Sequence, residues 1–368
     1  MSEDYTIIGW ETATNFVVDA FKALGVPEED AVIVADVLIE SDRRGIESHG
    51  VNRFKPIYID RIKDGIQQPV TEFEIIKETK TTAVVDGHHG MGQIVGYKCM
   101  QMAIDKTLEF GMGMTVARNS THYGIAGYYV TMATQKGLIG ITGTNARPSV
   151  APTFGVENML GTNPLTIGLP TDEDFPFVLD CASSITQRGK IEYYAKIGKE
   201  CPAGTVISDS GEPLTDPAQI LADLTKGAAA LTPLGGIGDE LGGYKGYGYS
   251  TVVEILSAAL QQGSYLSALT GFKDGEKCPY GLGHFFMAID PEAFLGRESF
   301  RKTAGDILRE LRASKKAPGY SRIYTAGEPE YLAWMRRKDT GLPINGAVQK
   351  EFSAIRDELG LGYTFPWD

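Results

Sequence analysis

The segment 42–54 constrains this chain more than any other stretch. It reads D-R-R-G-I-E-S-H-G-V-N-R-F and joins the end of one amphipathic helix to the start of the next. Because His49 and Arg53 stand at i and i+4, a helix beginning near Gly50 presents both on one side. With Ser48, the junction carries a hydroxyl, an imidazole and a guanidinium. For an isolated S-H-G triplet, a helix–loop–helix with surface charges is the simpler interpretation, so the rest of the chain must decide.

Length and composition bound the class of protein. With 368 residues, 42% of them hydrophobic and 22% charged, the chain is typical of a soluble protein with two domains or one large α/β body. The net charge of −12 argues against a surface that binds nucleic acid or an anionic membrane. An anionic substrate would therefore have to be bound by local arginines and lysines.

Several features favour the cytoplasm. The first residues, M-S-E-D-Y-T, lack the basic and apolar regions of a secretory signal, and no apolar run is long enough to span a membrane. The four cysteines are scattered without a C-x-x-C pair, which indicates reduced thiols and neither a zinc site nor a disulfide framework. The adjacent His88 and His89 cannot place both rings on one face of a strand, so we expect no metal.

A second histidine extends the first pattern. A predicted strand over 111–117 runs into R-N-S-T-H-Y-G, which displays His122 where a helix begins. His49 and His122 each adjoin a hydroxyl residue and are followed by glycine at once or one residue later. An enzyme acting on 2-hydroxy or 2-oxo acids needs an imidazole to move a proton, a hydroxyl to orient it, and a guanidinium to bind a carboxylate.

A nucleotide-binding pattern also occurs, but we do not favour it. Residues 90–96, G-M-G-Q-I-V-G, follow a predicted strand and open a predicted helix. A Rossmann fingerprint expects an acidic residue closing a second strand ~20 residues later, and that distance falls at Glu109, inside the helix. Glycines for a tight turn and close helix packing are the better interpretation. A Rossmann-type enzyme would instead lose cofactor binding in Gly92→Val.

Other candidate ligand contacts lie at the ends of predicted strands and in a glycine-rich stretch. One strand ends at Asp180, whose carboxylate could accept a ribose hydroxyl or merely cap the strand. Half of the positions in 235–248 are glycine, which predicts a loop folded closely around a ligand or another subunit, before a helix over 250–262. Within that loop, Lys245 could meet a phosphate or simply face water.

With these motifs in place, the chain resembles the malate/L-lactate dehydrogenase family. That family is unrelated to the Rossmann-type lactate and malate dehydrogenases and includes sulfolactate, ureidoglycolate and diketogulonate oxidoreductases. The resemblance covers nearly the whole chain and rests on motifs that occur in order. They are S-D-R-R-G-I-E-S-H-G-V-N-R-F, D-G-H-H-G-M-G-Q, A-R-N-S-T-H-Y-G-I-A-G-Y-Y, L-G-T-N-P-L, L-D-C-A-S-S, G-G-Y-K-G-Y-G, G-H-F-F-M-A-I-D-P and A-G-E-P-E.

The resemblance implies a particular architecture and assembly. It implies an α/β fold, α+β-like, with a mostly antiparallel central sheet and not a doubly wound parallel one. Residues 1–75 and 292–368 would form a helical domain for substrate binding and dimerisation, and 76–291 a sheet-containing, cofactor-binding domain. A homodimer with NAD or NADP bound near the subunit interface is also implied.

The resemblance further implies site residues. His49 or His122 would be the acid/base, with the choice between them open. The tyrosine expected after the first motif corresponds to Tyr58 in K-P-I-Y, as a substrate contact. The implied cofactor contacts are Thr144, Asn145, Ala146, Asp180, Cys181, Ala182, Lys245, Gly327 and Glu328.

We therefore expect reversible hydride transfer between C2 of a small 2-hydroxy acid and a nicotinamide. Arg53 would bind the C1 carboxylate, and Ser48 would orient the histidine or the substrate oxygen. Malate is the expected substrate because Arg147, with Arg188 and Arg44 behind it, could bind a second carboxylate, although an arginine that simply faces water is the simpler interpretation of Arg147. Lactate, sulfolactate and a cyclic imine are the alternative substrates. Arg188 and Lys190 could serve the 2′-phosphate of NADP or face water, which leaves the cofactor open. A non-catalytic protein on a decayed scaffold is the competing class, but it predicts losses at these motifs.

Overall fold

The computed structural model describes residues 5–368 as a mixed α/β chain. The α-helices of this part are α1 (Trp10–Ala23), α2 (Glu28–Arg43), α3 (Asp60–Lys63), α4 (Gly92–Phe110), α5 (Ala126–Thr134), α6 (Arg188–Ile197), α7 (Pro217–Lys226), α8 (Gly243–Ala258), α9 (Arg297–Ala313), α10 (Glu328–Arg337) and α11 (Gly346–Leu359). None of the helices described is both long and apolar enough to cross a membrane.

A seven-stranded sheet forms the centre of the molecule, with strand order β2-β3-β4-β12-β5-β6-β7. Only β3 and β4 are parallel, and α4 connects them; the other neighbours are antiparallel. This confirms the predicted mostly antiparallel sheet. The strands are β1 (Thr6–Ile8), β2 (Glu74–Glu78), β3 (Thr82–Asp86), β4 (Met112–Ser120), β5 (Ile139–Thr144), β6 (Leu165–Leu169), β7 (Phe177–Cys181), β8 (Val206–Ser208), β9 (Ala229–Leu231), β10 (Phe272–Lys273), β11 (Glu276–Lys277), β12 (Leu282–Ile289) and β13 (Leu342–Ile344).

Helices cover both faces of this sheet. The helices α4 and α5 pack on one face and α8 on the other. A Cβ on Gly140 of β5 would lie 2.9 Å from Val130 and Ala133 of α5, so this glycine lets the helix lie directly on the sheet. On the opposite face, Val253 of α8 packs with Phe285 of β12 in a smaller core. The sheet therefore has two buried faces, and its polar groups are displayed at strand ends.

A separate core joins the two ends of the chain. The helices α1, α2 and α11 pack around Phe16, Phe21, Phe54, Tyr58 and Phe352, all of them fully buried. The strands β1 and β13 pair antiparallel beside them. This core brings together elements from the two segments of the predicted helical domain, although the exact two-domain boundaries stay a prediction.

Two sequence-based expectations of local structure were wrong. The stretch 235–248 is not wholly a loop, because the helix predicted over 250–262 is α8, which begins at Gly243 and ends at Ala258. The helix predicted to begin near Gly50 is instead a 3-10 turn, a π-helical segment (Phe54–Ile59) and the short α3. The segment 201–250 also contains α7 and two short strands, whose core is small and separate from the sheet.

The glycines of the segment 90–96 serve packing, as expected. A Cβ on Gly92 would lie 2.3 Å from the carbonyl oxygen of Thr121, and one on Gly96 would lie 2.8 Å from the ring of Tyr129. The N–H of Gly92 donates to Thr121 Oγ1 at 2.9 Å. The start of α4 is therefore filled by the chain around His122, which leaves no room there for a pyrophosphate.

Candidate active site

A buried carboxyl group shapes the turn that carries His49. Asp42, near the end of α2, accepts a hydrogen bond from the backbone N–H of Val51 at 2.8 Å. A Cβ on Gly50 would lie 2.2 Å from that carboxyl group, so the turn requires glycine. Burial raises the pKa of Asp42 to about 8, which keeps the group mostly protonated at neutral pH. The protonated carboxyl group of Asp42 therefore packs against the S-H-G turn and holds its backbone in place.

The segment after this turn places three functional side chains along one side. The N–H of Asp60 bonds to the carbonyl of Lys55, five residues back, which is the π-helical pattern. Arg53 directly precedes this segment, Tyr58 lies within it, and Arg61 lies in α3 directly after it. The charges of Arg53 and Arg61 both act on the Tyr58 hydroxyl, as expected for neighbours. A local helical irregularity therefore builds one wall of the site.

The strand β4 brings His122 to the opposite wall. It ends at Ser120, and His122 precedes the start of α5. The Tyr58 hydroxyl lies 2.6 Å from His122 Nδ1, and the N–H of Gly124 lies 3.3 Å from the same nitrogen. No protein group in residues 5–368 hydrogen-bonds Nε2 of this ring. Tyr58 therefore holds the imidazole through one nitrogen and leaves the other for a ligand.

The two predicted histidines lie against each other. The rings of His49 and His122 stack at 5.8 Å between centroids and 20° between planes, and Ser48 Oγ lies 2.9 Å from His49 Nδ1. Burial, with the charge of Arg53, lowers the pKa of His49 to about 4. Burial, with the charges of His49, Arg61 and Arg53, holds the pKa of His122 well below its ordinary value. Both rings are neutral at pH 7, and adjacent like charges disfavour a second proton on the pair.

Two arginines, Arg53 and Arg61, lie near this pair and a third, Arg147, lies near Arg61. No ion pair with a carboxylate is formed by any of the three in the described chain. Arg53 Nε donates to the carbonyl of Ser48 at 2.6 Å, which leaves its two terminal nitrogens free. The Arg61 guanidinium lies 4.3 Å from the centre of the Tyr280 ring, and Arg147 is exposed. Burial, with the charges of Arg147 and Arg53, lowers the pKa of Arg61. In a protein of net charge −12, this cluster suits a ligand with more than one negative charge.

Arg61 is the site residue that sequence reasoning missed. A signal was present, since Arg53 and Arg61 lie about two turns apart within the helix predicted to begin near Gly50. The sequence could not show that Tyr280, from the far end of the chain, packs on its guanidinium.

A cleft of about 860 Å³ opens between α2, α5, β7 and the start of α10, and neither site histidine lines it. Ile46 and Ile125 line it, and each is three residues from a site histidine. A cleft of this size with aromatic walls suits a flat heterocycle such as those of a dinucleotide. The aromatic residues are Tyr128, Phe175, Tyr324, Tyr331 and Trp334.

Two predicted cofactor contacts, Asp180 and Gly327, line this cleft. The Asp180 carboxylate accepts from the N–H of Gly127 in the first turn of α5 at 2.7 Å and from Thr166 Oγ1 at 3.0 Å. It therefore accepts from a free N–H in the first turn of α5, whereas the alternative interpretation had this residue cap the end of its own strand. Gly327 has φ +87°, and a Cβ there would lie 2.9 Å from the backbone nitrogen of Val178. A role of either residue toward a cofactor stays a prediction.

The neighbouring Glu328 is buried in an internal network. Its carboxylate accepts from the N–H of Thr325 at 3.0 Å and pairs with Arg322. Burial opposes its charge, but the Thr325 hydrogen bond and the Arg322 charge outweigh burial and lower the pKa of Glu328. Of the other predicted contacts, Cys181 ends the edge strand β7 and is exposed, and Ala182 is half-buried beside it.

Lys245 lies in the first turn of α8 and does not line the cleft. Its side chain is exposed and lies 5.7 Å from the Tyr244 ring, with no ion pair in the described chain. The amino-terminal end of a helix disfavours a cation, so an anion placed there would be attracted by both the lysine and the helix.

The strand-end residues 144–146 lie at the end of β5, and their side chains are buried or half-buried. Thr144 Oγ1 donates to the carbonyl oxygens of Asn145 and Gly283. Asn145 Nδ2 donates to the carbonyl of Ser264 at 3.0 Å. Asn145 Oδ1 accepts from the N–H of Gly283 at 2.8 Å. These polar groups, followed by the half-buried Ala146, are used within the protein, and their role as cofactor contacts stays a prediction.

Comparison with known proteins gives a consistent result. The sequence pattern described as malate/L-lactate dehydrogenase matches residues 8–353. The chain is 42% identical over 363 residues to the malate dehydrogenase of Pyrococcus horikoshii, covering 98% of each protein. It is 38% identical over 353 residues to the L-sulfolactate dehydrogenase of Methanocaldococcus jannaschii, covering 95% of this chain and 96% of that one.

Structural similarity extends over the same length. The crystal structure of malate dehydrogenase from Entamoeba histolytica superposes with a TM-score of 0.94 at 43% identity, covering 98% of this chain and 100% of that chain. The motifs, the antiparallel sheet and the length of the match all agree. This protein therefore belongs to the malate/L-lactate dehydrogenase family.

Proposed function

We propose that the protein is a malate dehydrogenase, which interconverts malate and oxaloacetate. The observation that carries this proposal is the cluster of three arginines, without carboxylate partners in the described chain, near the histidine pair. One guanidinium is enough for the carboxylate shared by all 2-hydroxy acids, and the others suit a second anionic group. The relatives from Pyrococcus horikoshii and Entamoeba histolytica, both named malate dehydrogenase, support the same substrate.

The chain supplies binding, orientation and one proton carrier. Arg53 binds the C1 carboxylate with its two free terminal nitrogens. His122 Nε2 takes the proton of the C2 hydroxyl in oxidation and returns it in reduction, while Tyr58 holds the ring at Nδ1. A bound nicotinamide would supply the hydride acceptor or donor. Arg147 adds positive charge at the mouth of the site, and Ser48 orients His49.

The electrostatics of the pocket link the two directions of the reaction. A neutral His122 is ready to accept a proton, which favours oxidation. A bound dianion would offset the charges of Arg53 and Arg61 that depress the pKa of His122. Its pKa would rise on substrate binding, which supplies the protonated form that reduction needs. The stacked His49 stays neutral beside it, since two imidazolium rings would repel each other.

We propose NAD as the preferred cofactor, with its adenosine half in the large cleft. The two arginines of the cleft, Arg43 and Arg44, both pair with Glu40. Arg188 pairs with Glu192 and does not line the cleft. The charge of a 2′-phosphate would meet net repulsion here. The carboxylates lining the cleft are Asp36, Glu40, Asp174, Asp180 and Glu330.

One assay tests the substrate, the cofactor and the proton carrier. The loss of reduced-nicotinamide absorbance is followed with oxaloacetate, pyruvate, sulfopyruvate and a cyclic imine, each with NADH and with NADPH. We expect kcat/KM to be highest for oxaloacetate with NADH. Turnover confined to another 2-oxo acid or imine would replace the substrate, and a higher kcat/KM with NADPH would refute the cofactor assignment. If the folded protein reduced none of these substrates with either NADH or NADPH, the non-catalytic alternative would be favoured.

We also propose a homodimer in the cytoplasm. An exposed apolar stripe on α8, formed by Val252 and Ile255 and continued by Ala259 and Leu260, supports a second copy as partner. All four cysteines are free, which supports a reducing compartment. Light scattering after size exclusion should give twice the chain mass, and Ile255→Glu should shift it toward the monomer. A monomeric wild-type protein would overturn the dimer.

A further inference from the structure

Tyr280 holds the Arg61 guanidinium in a fixed orientation. The guanidinium lies 4.3 Å from the ring centre. The ring also packs closely against the backbone at Gly271, where an added Cβ would lie only 2.6 Å from it. Lys277, on β11 of the same hairpin, bonds to Asp64 Oδ2 at 2.7 Å just after α3. A planar cation stacked on a supported ring keeps its donors in a defined plane and loses little freedom on binding.

No carboxylate in the described chain neutralises the charge of Arg61. Its side chain is half-buried, yet its guanidinium donates no hydrogen bond to the chain over residues 5–368. Comparable half-buried arginines are paired: Arg118 with Asp86, Arg312 with Glu173 and Arg337 with Glu47. A partly desolvated cation without a partner destabilises the protein unless a ligand supplies the anion.

We infer that Arg61, oriented by Tyr280, binds the second anionic group of the substrate and sets the preference for dianionic over monoanionic 2-oxo acids. The inference rests on the proposed function, which assigns Arg53 to the C1 carboxylate. The second group is the C4 carboxylate of a dicarboxylic acid or a sulfonate in the same place. Arg147 is exposed and attracts the anion at longer range, whereas Arg61 contacts it. Tyr280 is a positioning residue that acts through Arg61.

The test compares kcat/KM for oxaloacetate, sulfopyruvate and pyruvate in Arg61→Met, with NADH at saturation. Charge-assisted hydrogen bonds to a carboxylate imply a loss of about 10- to 100-fold for oxaloacetate. Removing the Arg61 charge also lets the pKa of His122 rise, which affects both substrates alike. The readout is therefore the ratio of kcat/KM for oxaloacetate to that for pyruvate, which should fall about 10- to 100-fold because pyruvate lacks the second group. Equal losses with oxaloacetate and sulfopyruvate would show that charge is recognised, and a loss with one alone would identify the group. Arg61→Lys keeps the charge without the planar fork and should fall in between.

Two further variants serve as controls. Arg336→Met makes the same charge change on the exposed surface of α10 and should leave all three substrates unaffected. Tyr280→Leu should raise KM for oxaloacetate with little effect on pyruvate, and Tyr280→Phe, which keeps the ring, should restore it. A merely structural role of Tyr280 would lower kcat for both substrates alike. If Arg61→Met fails to fold, the comparison of Tyr280→Leu with Tyr280→Phe still tests the inference.

The outcomes separate this inference from the proposed function. Equal losses for pyruvate and oxaloacetate in folded Arg61→Met would overturn it, because Arg61 would then act on the shared part of the substrate. An oxaloacetate-to-pyruvate ratio of kcat/KM that stays at the wild-type value, with no loss on either substrate, would also overturn it and leave the malate dehydrogenase proposal standing. A wild-type protein that reduces pyruvate but neither dianion would refute the proposed function itself.

Discussion

Two polar regions at the ends of neighbouring strands use their histidines in opposite ways. In the site pocket, His122 is held by Tyr58 at one nitrogen, and its other nitrogen has no protein partner in the described chain. Near the start of β12, His284 is fully buried and bonded at both nitrogens, to Thr144 Oγ1 and Ser120 Oγ at 2.7 Å each. Burial lowers the pKa of His284 to about 3, so it stays neutral.

The difference shows how to separate a functional polar group from a structural one. Both rings are enclosed and both have lowered pKa values, so burial and titration do not distinguish them. What distinguishes them is unused hydrogen-bonding capacity next to uncompensated charge. His122 faces Arg53 and Arg61, whereas His284 stacks on Tyr123 at 4.5 Å and completes a closed network.

The largest expected effect is the loss of the proton carrier. His122→Asn should lower kcat for oxaloacetate reduction by about 10²–10⁴-fold, because no other group holds a proton at the C2 oxygen. Its melting temperature should stay near that of the wild type. His49→Asn is the matched control and should cost less. If stopped-flow measurements showed a larger loss of rate in His49→Asn than in His122→Asn, His49 would be the proton carrier.

Removing the closed network should cost stability and leave the chemistry intact. His284→Ala deletes two buried hydrogen bonds and leaves a cavity beside Tyr123, which should lower the free energy of unfolding by about 3 kcal/mol. Urea denaturation measures this loss, and kcat per folded molecule should stay near the wild-type value. A fall in kcat as large as that of His122→Asn would break the distinction between the two regions.

The reduction reaction should also show the lowered pKa of His122. The protonated fraction of the free enzyme falls tenfold for each pH unit above that pKa, so kcat/KM for oxaloacetate should drop about 100-fold from pH 6 to pH 8. The same parameter for malate oxidation, which uses the neutral ring, should stay flat. His122→Asn should abolish the slope. A flat reduction profile in the wild type would contradict the assignment.

The smallest effect concerns the acid beneath the S-H-G turn. Because the folded-state pKa of Asp42 is raised to about 8, its contribution to stability is complete below its ordinary pKa near 3.8 and is lost as pH rises toward 8. Asp42→Asn keeps a side-chain acceptor for Val51 and cannot ionise. Between pH 6 and pH 8 the wild type should therefore lose about 2 kcal/mol more than the variant. If the wild type and Asp42→Asn lost the same stability between pH 6 and pH 8, that result would contradict a neutral, buried Asp42.

Local pattern was sufficient for part of the site. Ser48, His49 and Arg53 are close in sequence, and the helix junction that joins them was readable from amphipathic spacing. His122 was placed at a strand-to-helix transition, where the structure has it. The resemblance to the family supplied the antiparallel sheet. Periodicity failed where glycine density hides a helix, because Gly243 and Gly246 begin α8 only through close contacts with Gly236 and Leu234.

By itself, the sequence determined the family and the chemical groups at the helix junction. The tertiary structure decided which of those groups remain available. It turned Asp180 into a cap for α5 and brought Tyr280 onto Arg61. The physical reason is that local spacing fixes which side chains share a face. Whether a polar group is already satisfied depends on partners that are distant in the chain and that only packing brings near.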